Sequence, residues 1–141
     1  MKKFELTSET KINIFGKKLF RIKALVSFGV VKTGETGGWV EKEENVNQSG
    51  DAWVFGNAEV FGNAEVSGNA DYTTIHGFGT QFRTTTFFRC KDKQVKVSCG
   101  CFYGTIPEFR EQVKNTRDGK IAEEYLMIAD LMEKHFAEEA K

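Results

Sequence analysis

The residues with the most chemistry to offer are gathered in one short stretch. Arg83, Arg89, Lys91, Lys93 and Lys96 accompany Phe82, Phe87 and the hydroxyls of Thr84, Thr85 and Thr86. Guanidinium forks grip phosphate bidentately, hydroxyls add donors, and aromatic faces stack on a base. A phosphate-bearing ligand suits this set, with Phe82, Arg83, Thr84, Thr85, Thr86, Arg89 and Lys96 as its contacts. In a straight strand Arg83 and Arg89 lie about 20 Å apart at ~3.3 Å per residue. One phosphate cannot bridge both within a chain. Arg83 is then the principal contact and Arg89 an outer steering charge. The alternative is a solvated strand face that pairs with an acidic segment elsewhere in the chain, as most charged faces do.

Two other residue types could carry a site. His76 and His135 are the only histidines, so a general base would have to be one of them. His135 reads as a helix-end residue that interacts favourably with the helix dipole. Cys99 and Cys101 are one residue apart, and Cys90 could be a third thiolate, but a structural zinc needs about four ligands and no fourth is evident. Small buried side chains at a tight strand end are the better account. Neither a metal nor a cofactor is expected.

These residues must be positioned by a chain of 141 residues with 13 Phe, enough to fill a core. Three cysteines, an odd count, argue against a disulfide framework and suit a reducing compartment. The N-terminal MKKFELTSET has no apolar run of the kind that leads secretion, which makes the cytoplasm the expected address. No apolar stretch approaches the ~20 residues that cross a bilayer. Formal net charge is zero, which fits a duplex nucleic-acid binder poorly. The charge is nonetheless unevenly spread. Residues 1–36 carry eight Lys/Arg against three acids, and residues 37–72 carry one against seven. Residues 73–107 carry five against one, and residues 108–141 six against nine. Such alternation favours docking between segments or subunits.

A repeat organises the middle of the chain. Gly50-Asp-Ala-Trp-Val-Phe, Gly56-Asn-Ala-Glu-Val-Phe, Gly62-Asn-Ala-Glu-Val-Ser and Gly68-Asn-Ala-Asp-Tyr-Thr follow one another with a period of six. Val40 and Val46 fall in register with Ala52, Ala58, Ala64 and Ala70, and the second apolar column is Val54, Val60, Val66 and Tyr72. Each hexad offers an extended stretch and a glycine corner able to take φ > 0. Three such sides close a coil of about 18 residues. The expected fold is therefore mainly β with C-terminal helices: a short left-handed parallel β-helix over residues 38–73. An N-terminal β-hairpin (residues 1–37, turning at Gly16-Lys17) would cap one end, and a C-terminal ββαα module (residues 74–141) the other. Trp39 and Trp53 should pack outside the prism or against a cap. Phe55 and Phe61 would be left as subunit contacts, and a homotrimer, or a multiple of three, is expected.

In the C-terminal module, Thr84–Arg89 and Gln94–Cys99 read as two strands joined at Lys91-Asp92-Lys93. Alternation puts Arg83, Thr85, Phe87 and Arg89 on one face, and Phe82, Thr84, Thr86, Phe88 and Cys90 on the other. Thr105-Ile-Pro-Glu108 opens a helix with a capping box. A second helix runs from about Lys120 to Ala140, with Ile121, Tyr125, Ile128, Met132 and Phe136 at helical spacing.

The stretch RIKAL(x)₂FGVVK(x)GE(x)GGWVE(x)EENV, from Arg21 to Val46, and the GNAEV hexads after it resemble a family of phage- and prophage-encoded hexapeptide-repeat proteins, often labelled only as transferases. The tail GFGTQFRTTTFF…KVSCGCFYGTIPEF resembles a module attached to such repeats in phages of Gram-positive bacteria. The resemblance implies a left-handed β-helix and a bacterial host cytoplasm during phage infection. It transfers no catalytic residue. Three functions follow as expectations. The first is an oligomeric binding protein that sequesters a phosphorylated signal, such as a cyclic nucleotide or an ADP-ribose derivative, without turnover, as a counter-defence sponge. The second is a trimeric scaffold or adaptor that binds a host or phage protein through its tail helices. The third is a hexapeptide acyltransferase with His76 as its base, which rests on fold analogy alone.

Overall fold

A computed structural model describes residues 2–13, 15–68, 71–79, 83–99 and 102–137, with Arg83 described by its backbone alone. Among the described residues, eight strands precede two α-helices. They are β1 (Phe4–Ile12), β2 (Lys18–Ala24), β3 (Thr36–Val40), β4 (Glu59–Val60), β5 (Tyr72–Phe78), β6 (Arg83–Arg89), β7 (Val95–Cys99), β8 (Phe102–Thr105), α1 (Ile106–Thr116) and α2 (Gly119–Phe136). The strands form two four-stranded sheets, ordered β1-β2-β3-β4 and β5-β6-β7-β8. No helix among the described residues is long and apolar enough to cross a membrane.

The hairpin turning at Gly16 forms as expected. Asn13 Oδ1 accepts from the Phe15 and Lys17 amides at 3.0 Å, and Gly16 takes φ 78°. Its role differs from a cap, because β2 continues antiparallel onto β3, with Phe20 opposite Val40 and Arg21 opposite Trp39. The first sheet thus runs across the expected boundary at residue 37.

The left-handed parallel β-helix does not form. Among the described residues, parallel pairing is confined to β3 with β4, where Trp39 faces Glu59 and Val40 faces Val60, and to a bridge between Val46 and Val66. These pairs join residues twenty apart, where stacked three-sided coils would join residues about eighteen apart. The physical reason lies at the two edges. β2 occupies one side of β3 antiparallel, and the end of β6 lies antiparallel against the last hexads. There Ala64 bridges Cys90, the Glu65 amide donates to Arg89 O and the Lys91 amide to Asn63 O, each at 2.9 Å. The chain makes one wide turn between two mainly antiparallel sheets.

The hexad columns nevertheless point inward. Ala52, Ala58, Ala64, Val54, Val60 and Val66 are all fully buried, and Gly50, Gly56 and Gly62 take φ 69°, 57° and 65° at the corners. Ala70 lies outside the described residues. Trp53 does not sit outside. It is buried edge-on to Phe4 and Phe28, at 6.0 and 5.3 Å between centroids. Trp39 is buried beneath Lys11 Nζ and the Arg21 guanidinium, 4.5 and 4.4 Å from its ring centroid. Gly37 and Gly38 permit this, since a Cβ there would lie 2.6 Å from Val54 O or 2.7 Å from Ala58 O. Phe61, expected at a subunit contact, is 1% exposed under Tyr103 and Phe88. Phe55 remains 44% exposed. With the β-helix and the Phe61 face gone, the argument for threefold symmetry loses its basis.

The turn is held by Asn45, which is fully buried. Its Oδ1 accepts from the Glu41 and Lys42 amides at 3.1 and 3.0 Å, while Nδ2 donates to Gly62 O and Ala64 O at 3.2 and 3.0 Å. One side chain thus joins the start of the turn to its end. Asn45→Ala strands these backbone groups out of water, and the expected loss is about 2–4 kcal/mol in urea unfolding. Asn63→Ala, whose side chain makes none of these bonds, should cost within about 0.5 kcal/mol as a surface change.

The C-terminal half has four strands before its two helices, not the two of a ββαα module. β6 and β7 take the expected places, and the turn passes through Lys93 at φ 72°. α1 opens on the expected box, Thr105 N–H donating to Glu108 Oε1 at 2.8 Å and Glu108 N–H to Thr105 Oγ1 at 3.3 Å. α2 buries Tyr125, Ile128, Ala129, Met132 and Phe136. Arg110 of α1 pairs with Asp130 and Glu133 of α2.

Candidate functional site

The basic hairpin is folded into the molecule. Phe87, with Arg89 and Val95 beside it in register, lies on the side covered by the helices, where Phe87 meets Phe109 at 6.3 Å. Phe88, with Lys96 opposite, lies on the side covered by the repeat segment, where it stacks on Tyr103. The expected alternation along β6 is present, and among the described residues it divides the expected contacts between the two faces of the sheet.

Each has its own neighbours. Thr85 is buried and donates to Cys99 Sγ at 3.1 Å. Thr86 is buried on the other side, its hydroxyl accepting from the Glu59 amide at 3.2 Å. Thr84 Oγ1 lies 2.9 Å from His76 Nδ1 across the β5–β6 pair. Lys96 Nζ sits 5.8 Å from the Tyr103 ring centroid. Phe82 and the Arg83 side chain lie outside the described residues. Arg89 has partners within the chain. Its Nε donates to Asp71 Oδ1 and its Nη2 to Phe136 O, both at 3.0 Å, with the guanidinium 5.5 Å from the Phe136 ring centroid. It ties the end of the repeat to the last turn of α2, as the alternative reading of a face paired with acidic segments anticipates.

The other candidates are scattered. His76 is exposed on β5, with Thr84 as its partner. His135 lies edge-on to Phe136 in the last turn of α2. Cys90 belongs to the core beneath the repeat, whereas Cys99 packs against the helix core; Cys101 lies outside the described residues. Two thiols on opposite sides of one sheet do not share a metal.

Lysine at position 3 gave no signal in the sequence, since a terminal lysine reads as solvated. It is 4% exposed, and its ammonium donates to Ala52 O at 2.6 Å and Gly50 O at 3.2 Å while facing the Phe28 ring. Burial lowers its pKa, opposed by nearby Asp51. The basic N-terminal segment meets the acidic repeat segment through Lys2–Glu43, Lys11–Glu59 and Lys17–Glu41, at 2.7, 2.7 and 3.7 Å.

Among the described residues, two of the surface clefts lie beside the helices. One is a cleft of about 350 Å³ at the end of the β6–β7 hairpin, lined by Arg89, Lys93, Thr105, Pro107, Glu133 and Phe136. The other is an apolar groove of about 430 Å³ between β5 and α2, lined by Phe78, Glu124, Met127, Ile128 and Leu131. Met127 and Leu131 are 68% and 58% exposed. No protein-family model matches this chain, and no curated protein does.

Two outcomes follow from this arrangement. Arg89→Ala should cost about 1.5–3 kcal/mol, the scale of a hydrogen bond to a charged group. Arg89→Lys should recover little of it, because an ammonium cannot span Asp71 and the Phe136 carbonyl as the fork does. Urea midpoints check both. Cys90 sets a pH limit: burial, with Asp92 adding, pushes its thiol up from 9.0 to about 11. The unfolded chain deprotonates first, so the contribution of the protonated thiol is complete below pH 9 and is lost as pH rises through 11. Burial also raises Tyr103, to about 12, which continues the decline, while Lys3 opposes it. Stability should fall between pH 9 and 11, and Cys90→Ala should flatten that slope.

Proposed function

We propose that this chain is a non-catalytic scaffold whose working surface is the outer face of α2. The observation that carries this reading is the adjacent pair Met127 and Leu131, which α2 presents to solvent although its other face already fills the core. Large exposed apolar residues grouped on a helix are unusual unless another surface covers them. The basic hairpin gives the ligand reading less support, since its hydroxyls and Arg89 serve the fold.

Sequestration of a phosphorylated small molecule is the second reading, favoured by the cleft where Arg89 and Lys93 meet the first turn of α1. The phage setting suggested by the Arg21–Val46 motif suits either reading and belongs to the proposal. Calorimetry against cyclic dinucleotides, ADP-ribose derivatives and mononucleotides separates the two. The scaffold reading expects no heat from any of them. Heat that disappears in Lys93→Ala would replace it with sequestration. In parallel, Met127→Glu with Leu131→Glu should abolish binding of an apolar fluorescent dye while changing stability by no more than about 1 kcal/mol, two surface changes of about 0.5 each. Dye binding unaffected by the pair would show that α2 does not hold the working surface.

A further inference from the structure

Resting on the scaffold reading, we propose that the occupant of the α2 face is α2 of a second copy, packed antiparallel across a twofold axis. Four residues on the outer side of α2, Glu124 among them only partly exposed, form one stripe. Glu124, Met127, Leu131 and Lys134 recur at steps of three, four and three, the spacing that keeps side chains on one side of a helix. The stripe has an acid at one end, two apolar side chains in the middle and a base at the other. It is also symmetric about the level of Ala129: Met127 and Leu131 lie two residues to either side, Glu124 and Lys134 five.

A second α2 laid antiparallel with its centre at Ala129 therefore sets each Met127 against Leu131 of the other copy and each Glu124 against its Lys134. A twofold interface requires a patch complementary to its own reverse, and this stripe is one. A parallel pair would place Glu124 against Glu124 and Lys134 against Lys134, which is repulsive at both ends. Among the described residues, neither Glu124 nor Lys134 has an ion-pair partner within the chain. The other charges bordering the stripe, Asp130 and Glu133, are taken by Arg110.

Phe78 extends the apolar floor onto β5, the edge strand of the second sheet, which among the described residues pairs only with β6. The contact is small beside the ~1,600 Å² of a standard interface, so a dissociation constant in the micromolar range or weaker is expected.

Sedimentation equilibrium of the full chain from micromolar to submillimolar concentration tests this. The expected result is a reversible shift from 15.9 kDa to twice that mass. Leu131→Glu should leave a monomer throughout. Glu124→Lys and Lys134→Glu should each weaken the dimer several-fold, and the two together should restore it, since the swap rebuilds both cross-pairs in reverse. Circular dichroism confirms that each variant is folded. A trimer, or a dimer untouched by Leu131→Glu, overturns the proposal. So does a monomer at every concentration, yet if the dye still finds the Met127–Leu131 groove, the scaffold reading survives and only the choice of occupant falls.

Discussion

Burial of both faces of β6 is the constraint on which the rest of the structure depends. An inner strand with two covered faces needs an apolar layer on each side, and neighbouring residues meet that need. Phe87 enters the core beneath α1 and α2, and Phe88 enters the core beneath the repeat. The hydroxyls of Thr85 and Thr86 are buried with them, each with a hydrogen-bond partner, which keeps the polar atoms of a doubly covered strand from becoming a penalty. What the repeat segment lacks in length it gains from this strand, because β6 and Tyr103 cover the end where further coils would otherwise have to stack.

Charge is used in the same inward manner. The alternation of basic and acidic segments is resolved within the chain: the N-terminal lysines reach the acids of the repeat, and Arg89 reaches Asp71 and α2. The exposed lysine pairs add little energy, typically below about 1 kcal/mol each, and the part-buried Arg89–Asp71 pair adds more. Their effect is orientation, because each pair links two segments of opposite sign. Within a cluster that reads as an anion site in one dimension, Arg89 joins, in three, the end of the repeat to the last helix.

How far the sequence disclosed this depended on the range of the interaction. Short-range features were legible: the turn at Gly16, the Thr105–Glu108 box, the β6–β7 hairpin and the apolar stripe of α2 all depend on residues within a turn or two of each other. The inward columns of the hexads were legible too, since period-six burial needs only local alternation. The closure was not. Whether hexads stack as a parallel coil depends on what pairs with their edges, and β2 and Cys90 reach those edges from distant parts of the chain. The surroundings of the candidate site residues were hidden for the same reason. Alternation placed Arg89 and Thr86 on opposite faces of β6, but nothing near them in sequence says that both faces are covered. Lys3 and Asn45 were missed because each is defined by backbone carbonyls or amides of remote segments, which leave no mark on residue type.

The position of Phe88 and Tyr103 has a consequence for the order in which the protein can come together during synthesis. The N-terminal core includes Phe4, Trp53 and Phe61, yet its last members lie beyond residue 87. A nascent chain that has emerged only through the hexads holds an open-ended apolar turn in which Phe61 has Phe15 against it but neither Phe88 nor Tyr103. The N-terminal half therefore cannot complete itself ahead of its successor, as independent domains do. The two cores, joined through adjacent side chains of one strand, are bound to a common folding step dominated by contacts between residues far apart in the chain, the kind that forms slowly.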